Sequence, residues 1–189
     1  MRIITGSARG TNLISLEGEG TRPTLGRAKQ SIFSALQFDI EGRRVLDLFA
    51  GSGQLGLECL SRGAAKATFV DKNPDAFDII RENALKTKLY KQSVILCMDH
   101  SEYLKAAKKS KEKFDLVFLD PPYKEGLLAS SLKELYLSDT LSDIAQVIAE
   151  TDTEDLFENA PELEQLYEII KIYKIGTVRF YRLSKKEKV

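Results

Sequence analysis

The chain has 189 residues, of which 43% are hydrophobic and 30% charged, and its 28 basic residues balance its 28 acidic ones. This length and composition predict one globular domain with, at most, a short N-terminal appendage. No apolar run approaches the roughly 20 residues of a membrane-spanning helix, and the run after Met1 is too short for a signal peptide, so we expect a cytoplasmic protein without a membrane partner.

The neutral total hides an uneven distribution of charge. Residues 1–44 contain seven bases and four acids, residues 171–189 seven bases and one acid, and residues 151–168 seven acids and no base. The basic ends permit a phosphate-binding face, although solvated tails explain them equally well. Cys59 and Cys97 are predicted to be small buried hydrophobes, and the single histidine, His100, rules out a His-rich metal cluster.

In chain order, residues 2–16 predict two short strands around a turn at 7–10, followed by a glycine-rich loop. Thr24 is expected to cap a helix over 25–36. We therefore expect an N-terminal extension, residues 1–36, and a main domain, residues 37–189.

Strand and helix patterns alternate from Arg44 onward. The predicted strands cover 44–49, 67–70, 93–98, 114–119, 145–150, 166–173 and 177–183, and the predicted helices cover 54–62, 74–85, 101–109 and 127–135. This alternation predicts an α/β fold with a mostly parallel seven-stranded sheet and an antiparallel C-terminal hairpin.

The stretch V-L-D-L-F-A-G-S-G-Q-L-G at 45–56 predicts a strand, a glycine turn and a helix. Its G-x-G-x-x-G spacing presents backbone N–H groups to a ligand, but nicotinamide and flavin enzymes share it. Asp47 is unusual, because a charge inside an apolar strand needs a partner. A cationic ligand group would supply that partner; the alternative is a structural acid that caps a neighbouring loop or helix.

Three further acids follow predicted strands, at the sheet edge where ligands bind in such folds. Asp71 suits the two hydroxyls of a ribose, or a helix N-cap. Asp99 suits an adenine amino group, or the N-cap of the helix near Ser101, and His100 is expected to be a cap neighbour. Asp120 begins D-P-P-Y, a stiff turn whose carboxylate and following carbonyl form two acceptors for a planar NH₂ group; the alternative is an ordinary strand terminator.

Taken together, V-L-D-L-F-A-G-S-G and D-P-P-Y resemble class I S-adenosylmethionine-dependent methyltransferases that act on exocyclic amines of nucleic-acid bases. The pattern R-P-T-x-x-R-x-K-x-S-I-F at 22–33 is similar to the bacterial 16S ribosomal RNA guanine-N2 methyltransferases. The resemblance implies a Rossmann-like fold, S-adenosylmethionine as cofactor and no metal. It also implies that the substrate is 16S rRNA. Because a domain this small has a modest basic surface, we expect it to act on an assembled or assembling small subunit, and we take a monomer as the default.

The resemblance assigns roles to matching positions. It implies that the cofactor is bound by Asp47, Phe49, Ala50, Gly51, Ser52, Gly53, Asp71, Lys72, Met98 and Asp99. It implies that guanine is gripped by Asp120, Pro121, Pro122 and Tyr123. We expect RNA to be bound by Arg9, Arg22, Arg27 and Lys124, with residues 1–36 facing the RNA; Arg22 and Arg27 would meet RNA phosphate or lie near the mouth of the cofactor site. Gln30, Gln54 and the acidic stretch 151–168 depart from the family pattern.

Three other functions stay open. An adenine-N6 methyltransferase would use the D-P-P-Y turn equally well, but no separate domain for reading DNA sequence is evident. A nicotinamide oxidoreductase would not need Asp47 or the D-P-P-Y turn. A non-catalytic RNA-binding module would not need both motifs intact.

Overall fold

The computed structural model describes residues 1–16, 23–122, 126–158 and 160–187, with the side chains of 23–28 not described. The helices are α1 Pro23–Ala35, α2 Gln54–Ser61, α3 Pro74–Lys86, α4 His100–Ser110 and α5 Leu127–Leu137. The strands are β1 Arg44–Asp47, β2 Lys66–Asp71, β3 Ser93–Cys97, β4 Phe114–Leu119, β5 Leu141–Thr151, β6 Tyr167–Ile175 and β7 Val178–Lys185. Short 3₁₀ turns lie at Tyr90–Gln92 and Pro161–Gln165.

The seven strands form one sheet in the order β3-β2-β1-β4-β5-β7-β6. Strands β1 to β5 pair in parallel, and β7 is antiparallel to both of its neighbours, β5 and β6. The predicted α/β fold, with its mostly parallel sheet and antiparallel C-terminal hairpin, is confirmed. Within the described residues, no helix combines the length and apolar character that crossing a bilayer requires.

Side chains from α1, α2 and α3 cover one face of the sheet, and side chains from α4 and α5 cover the other. Successive strand residues alternate between these layers, as Phe69 and Val70 of β2 do. Ile32 and Phe33 of α1 share the first layer with Leu57 of α2. Helix α1 therefore shares a hydrophobic core with the main domain. The division into residues 1–36 and 37–189 stays a prediction.

The N-terminal segment, residues 1–14, forms a short hairpin that is also held by α2 and α3. Arg2 and Asn12 form an antiparallel bridge. Three backbone hydrogen bonds of 2.8–3.0 Å join the two arms: Ile3 N to the Thr11 carbonyl, Gly10 N to the Ile3 carbonyl and Leu13 N to the Met1 carbonyl. The buried Glu58 carboxylate of α2 accepts further hydrogen bonds from the N–H groups of Ile4 (2.7 Å) and Thr5 (3.1 Å). These two bonds fix the first arm of the hairpin against α2.

The same segment is fixed at two further points. Ala8 donates its N–H to Ser61 Oγ at 3.0 Å, and Ser7 donates to the Ser61 carbonyl at 2.8 Å. Ile14 exchanges two hydrogen bonds with the Asn83 side chain of α3. The segment therefore crosses α2 and reaches α3, on the face of the sheet that α1, α2 and α3 cover.

Three local predictions were wrong. Helix α1 begins at Pro23, so Thr24 lies in its first turn and is not the cap; proline suits this first helical position. Strand β5 begins at Leu141, earlier than expected, because its first residues pair with the start of β4. Cys97 is exposed because it ends the edge strand β3, whereas Cys59 is buried as predicted.

The acidic stretch 151–168 is tied to the sheet through Arg179 of β7. This guanidinium pairs with Glu154 and donates to the carbonyl of Asp152 at 3.0 Å. The Tyr181 hydroxyl donates to the Glu154 carbonyl at 2.7 Å. At least one acid of this stretch, Glu154, therefore has a structural partner in β7.

Candidate active site

The glycine turn and the D-P-P turn leave neighbouring strands at the centre of the sheet. Strand β1 pairs with β4 so that Asp47 lies beside Phe118, two residues before Asp120. The chain runs from β1 through β2 to β3 in one direction and from β4 to β5 in the other. The point between β1 and β4 is therefore the topological switch point, where α/β sheets bind ligands.

Two glycines, Gly53 in the turn and Gly56 in α2, are required by the local geometry. Gly53 has φ +77°, a left-handed conformation that side-chain-bearing residues rarely adopt, and a Cβ there would lie 3.1 Å from Ile80. A Cβ on Gly56 would lie 2.3 Å from the buried Phe69 ring. The helix after the turn therefore packs closer to the sheet than a larger residue permits.

Asp47 supports this turn from inside the protein. Its carboxylate is 1% exposed and accepts a hydrogen bond from Gly56 N at 3.0 Å, in the first turn of α2. Burial raises the pKa of Asp47 to about 7, whereas the bond from Gly56 and the charge of Lys29 lower it. One oxygen thus has the helix-capping role that was the alternative to ligand binding, and contact with a cofactor stays a prediction.

Lys29 and Gln54 join the site although the sequence did not place them there. Lys29 Nζ, from α1, donates to Gln54 Oε1 at 3.3 Å, at the start of α2. The positive charge of Lys29 also acts on Asp47. Lys29 belongs to the 22–33 pattern, which was the only sequence signal for it.

Asp71, at the end of β2, holds the glycine turn in place. One of its oxygens accepts from Gly51 N and the other from Asn73 N, both at 2.9 Å. Asn73 caps α3 by accepting from Asp75 N, so Asp71 is not that cap. The half-exposed carboxylate lies at the rim with two oxygens that have further lone pairs.

Asp99 caps α4, as its alternative interpretation proposed. Its carboxylate accepts from Ser101 N at 2.9 Å and lies 3.5 Å from His100 Nδ1. The His100 ring packs on Phe49, with ring centroids 4.9 Å apart. Met98 donates its N–H to the Asp71 carbonyl at 3.0 Å, which places Met98 and Asp99 beside the end of β2.

The D-P-P turn follows β4, with Asp120 half-exposed, Pro121 buried and Pro122 exposed. Asp120 is near enough to Asp47 for its charge to raise the pKa of that carboxyl. The structure therefore brings the first part of this turn to the glycine turn.

The remaining predicted residues are more dispersed. Ser52 and Ala50 are buried within the glycine turn, and Lys72 is exposed next to Asp71. Arg9 lies near Ser61, which is seven residues and about 10 Å along α2 from the turn. Arg22, Tyr123 and Lys124 lie outside the described residues, as does the side chain of Arg27.

These rim groups fit a nucleoside with a charged tail. Asp71 offers carboxylate oxygens for vicinal hydroxyls, and the Phe49 and Met98 side chains, each partly buried, offer apolar surface for a base. The glycine turn permits close backbone approach, and the acids around it suit a cationic group.

Sheet order, strand directions and site position define the fold of class I methyltransferases. A solved structure from Escherichia coli, named as a candidate methyltransferase, yhhF, superposes with a TM-score of 0.83 at 27% identity, covering 100% of this chain and 99% of that one. A more distant candidate methyltransferase structure complexed with SAH has a TM-score of 0.68 at 16% identity, covering 84% of this chain and 49% of that one, and supports the fold alone.

The chain belongs to the family described as Conserved hypothetical protein 95, which matches residues 1–182. A Bacillus subtilis (strain 168) relative, named as a candidate rRNA methyltransferase, YlbH, is 40% identical over 82% of this chain and 84% of its own. The Escherichia coli (strain K12) protein named Ribosomal RNA small subunit methyltransferase D is 31% identical over 99% of this chain and 90% of its own.

Proposed function

We propose that this protein transfers a methyl group from S-adenosylmethionine to the exocyclic N2 amine of a guanine in 16S rRNA. The observation that carries the proposal is the position of Asp120 and Pro121, beside the glycine turn at the switch point of the sheet. The names of the relatives support ribosomal RNA of the small subunit as the substrate class. The D-P-P turn supports an amine as the acceptor.

The cofactor would be held along the rim from β1 to β3. S-adenosylmethionine, when bound, supplies an electrophilic methyl group on a positively charged sulfur. In our assignment Asp71 binds the ribose hydroxyls, and Met98 and Asp99 contact the adenine. Phe49, Lys72 and the backbone at 50–53 line the same cleft, while Asp47 faces the methionine end. The two N–H bonds to Asp71 fix its carboxylate before any ligand arrives.

The acceptor amine would be held by the turn after β4. The guanine N2 lone pair is delocalised into the ring, so the nitrogen is a poor nucleophile. The Asp120 carboxylate and the Pro121 carbonyl accept from this NH₂ group and stabilise the positive charge that develops on it during attack. Pro122 stiffens the turn, and Tyr123 offers a flat face for the base. A paired base cannot enter, so the guanine is unpaired or flipped out.

The substrate would extend beyond this pocket. Arg9, Arg22, Arg27 and Lys124 are assigned to RNA phosphates, and residues 1–36 to an RNA-facing extension. A protein of this size presents a small docking surface, so an assembled or assembling small subunit is the expected substrate, with the enzyme acting as a monomer.

The test is methyl transfer from labelled S-adenosylmethionine, followed by identification of the labelled nucleoside. Small subunits, naked small-subunit RNA and DNA are offered in parallel. Label in N2-methylguanosine supports the proposal. Comparing the rates with small subunits and with naked RNA shows whether the enzyme requires the assembled particle. Label in N6-methyladenosine keeps the reaction class and overturns the target, while tighter binding of NAD than of S-adenosylmethionine overturns the cofactor.

A further inference from the structure

Two adjoining clefts lie between the N-terminal segment and α1, away from the candidate active site. The larger, about 430 Å³, runs along α1 to Phe38 and borders Ser61 at the end of α2. The smaller, about 370 Å³, is bordered by Arg2 and Arg9. Ile4 and Gln30 line both clefts, so together they form one groove, which we call the α1 groove.

The wall of the α1 groove is built for hydrogen bonding. Gln30, Ser34 and Gln37 follow one another at intervals of four and three residues, so they lie on one face of the helix and its C-terminal extension. The two amides offer both donors and acceptors, the combination that reads the edges of unpaired bases. The Ser34 hydroxyl donates its proton to the Gln30 carbonyl at 2.8 Å and offers the groove an acceptor.

Phe38 ends this polar row and is 91% exposed. The other large hydrophobic side chains exposed in the described part of the chain range from 44% to 61%. An aromatic ring presented to solvent beside hydrogen-bonding groups is a stacking platform for a nucleic-acid base.

The charge of the groove favours phosphate. Among the described residues that line the two clefts there is no Asp or Glu. Arg2 and Arg9 are exposed, and neither belongs to the ion pairs observed between described side chains. The third arginine, Arg62, is already paired with Glu58 at 2.7 Å. Arg2 and Arg9 therefore bring two positive charges to the groove, and no acid lines it among the residues that the structure describes.

We propose that the α1 groove binds an unpaired segment of the substrate RNA, with a base stacked on Phe38 and phosphates near Arg2 and Arg9. This proposal rests on the proposed function, because it extends the RNA site about 10 Å along α2 from the glycine turn. The groove would hold nucleotides that flank the methylated one. It would act on RNA affinity and not on the transfer step itself.

The test uses a fluorescent single-stranded oligoribonucleotide of about a dozen nucleotides, titrated with the full chain. Phe38→Ala should weaken binding roughly fivefold to a hundredfold, and Phe38→Tyr should restore it, because stacking needs a ring. Tyr90→Ala, an exposed aromatic on a separate 3₁₀ turn, is the matched control and should stay within about twofold of wild type. Melting temperatures confirm that each variant is folded.

Charge is tested separately. The double variant Arg2→Gln, Arg9→Gln should reduce the magnitude of the slope of log affinity against log salt by about two, one for each lost phosphate contact.

A kinetic measurement separates RNA binding from the transfer step. In methyl transfer to small-subunit RNA, Phe38→Ala should raise the KM for RNA and leave kcat and the cofactor Kd unchanged.

Three results would overturn the groove assignment. One is equal oligoribonucleotide affinity for Phe38→Ala and wild type, even if wild type methylates RNA. Another is no binding by wild type at all. The third is weakened binding of protein-containing particles alone, which would mean that the groove meets a protein. The proposed function fails on a different result: absence of N2-methylguanosine with wild-type enzyme.

Discussion

Asp47 offers a direct test of the electrostatics of the site. Its carboxyl is 1% exposed, and burial raises its pKa from 3.8 to about 7. Protonation is therefore favoured more in the folded protein than in the unfolded chain. Below both pKa values Asp47 is protonated in the folded and the unfolded protein and does not affect the free energy of unfolding. As the pH rises from about 4 toward 7, the unfolded chain ionises Asp47 more readily than the folded protein does, so the free energy of unfolding falls progressively.

The size of the effect follows from that pKa difference. Between about pH 5 and pH 8, Asp47 should remove roughly 2 to 3 kcal/mol from the free energy of unfolding. Asp47→Asn abolishes the titration while its amide oxygen still accepts the hydrogen bond from Gly56 N. The stability advantage of Asp47→Asn over wild type should therefore grow by this amount from the lower pH to the higher.

Urea unfolding of both proteins at the two pH values measures the change, since all other titrating groups are shared. Lys29→Met is the companion variant: it removes a positive charge that lowers the pKa of Asp47, so its own pH-dependent loss should exceed that of wild type. A stability difference between Asp47→Asn and wild type that is equal at both pH values would refute the reasoning.

Three further substitutions test other parts of the molecule. Asp120→Ala should lower kcat at least about a hundredfold while the Kd for S-adenosylhomocysteine stays constant, because the lost acceptor acts on the amine. Gly56→Ala should cost about 1–3 kcal/mol in urea unfolding, because its Cβ would lie 2.3 Å from the buried Phe69 ring. Glu58→Ala should cost about 3–5 kcal/mol, since Arg62 loses its buried partner, and should speed tryptic cleavage in the N-terminal segment.

Each of these has a result that contradicts it. Parallel loss of turnover and cofactor affinity in Asp120→Ala would remove that residue from the acceptor pocket. A Gly56→Ala protein as stable as wild type would show that α2 can move away from the sheet. Unchanged trypsin sensitivity in Glu58→Ala, with Glu58→Gln as the conservative comparison, would mean that other contacts hold residues 1–14.

Much of the fold was predictable because burial imposes a period on the sequence. The strand and helix patterns from Arg44 onward, and the crossover connections they require, led to a parallel sheet with acids at one edge. Edge effects were harder to foresee. Cys97 follows a strand-like apolar run, and nothing within that run shows that β3 lies at the sheet margin.

The roles of the acids were less predictable than their positions. Asp suits a helix cap and a ligand equally well, so the sequence left both possibilities open for Asp47 and Asp99. The structure finds a capping bond at each, to Gly56 N and to Ser101 N. The hydrogen bond between Lys29 and Gln54 joins residues 25 positions apart, and no local sequence pattern predicts it.

The anchoring of the N-terminal segment has a consequence for synthesis. Its backbone groups bond to Glu58, Ser61 and Asn83, which lie 53 to 69 positions later in the chain. Residues 4–14 are synthesised before Glu58, Ser61 and Asn83, so these hydrogen bonds cannot form until α2 and α3 have been made. The contacts that hold the segment against the helices therefore belong to the slow, long-range part of folding.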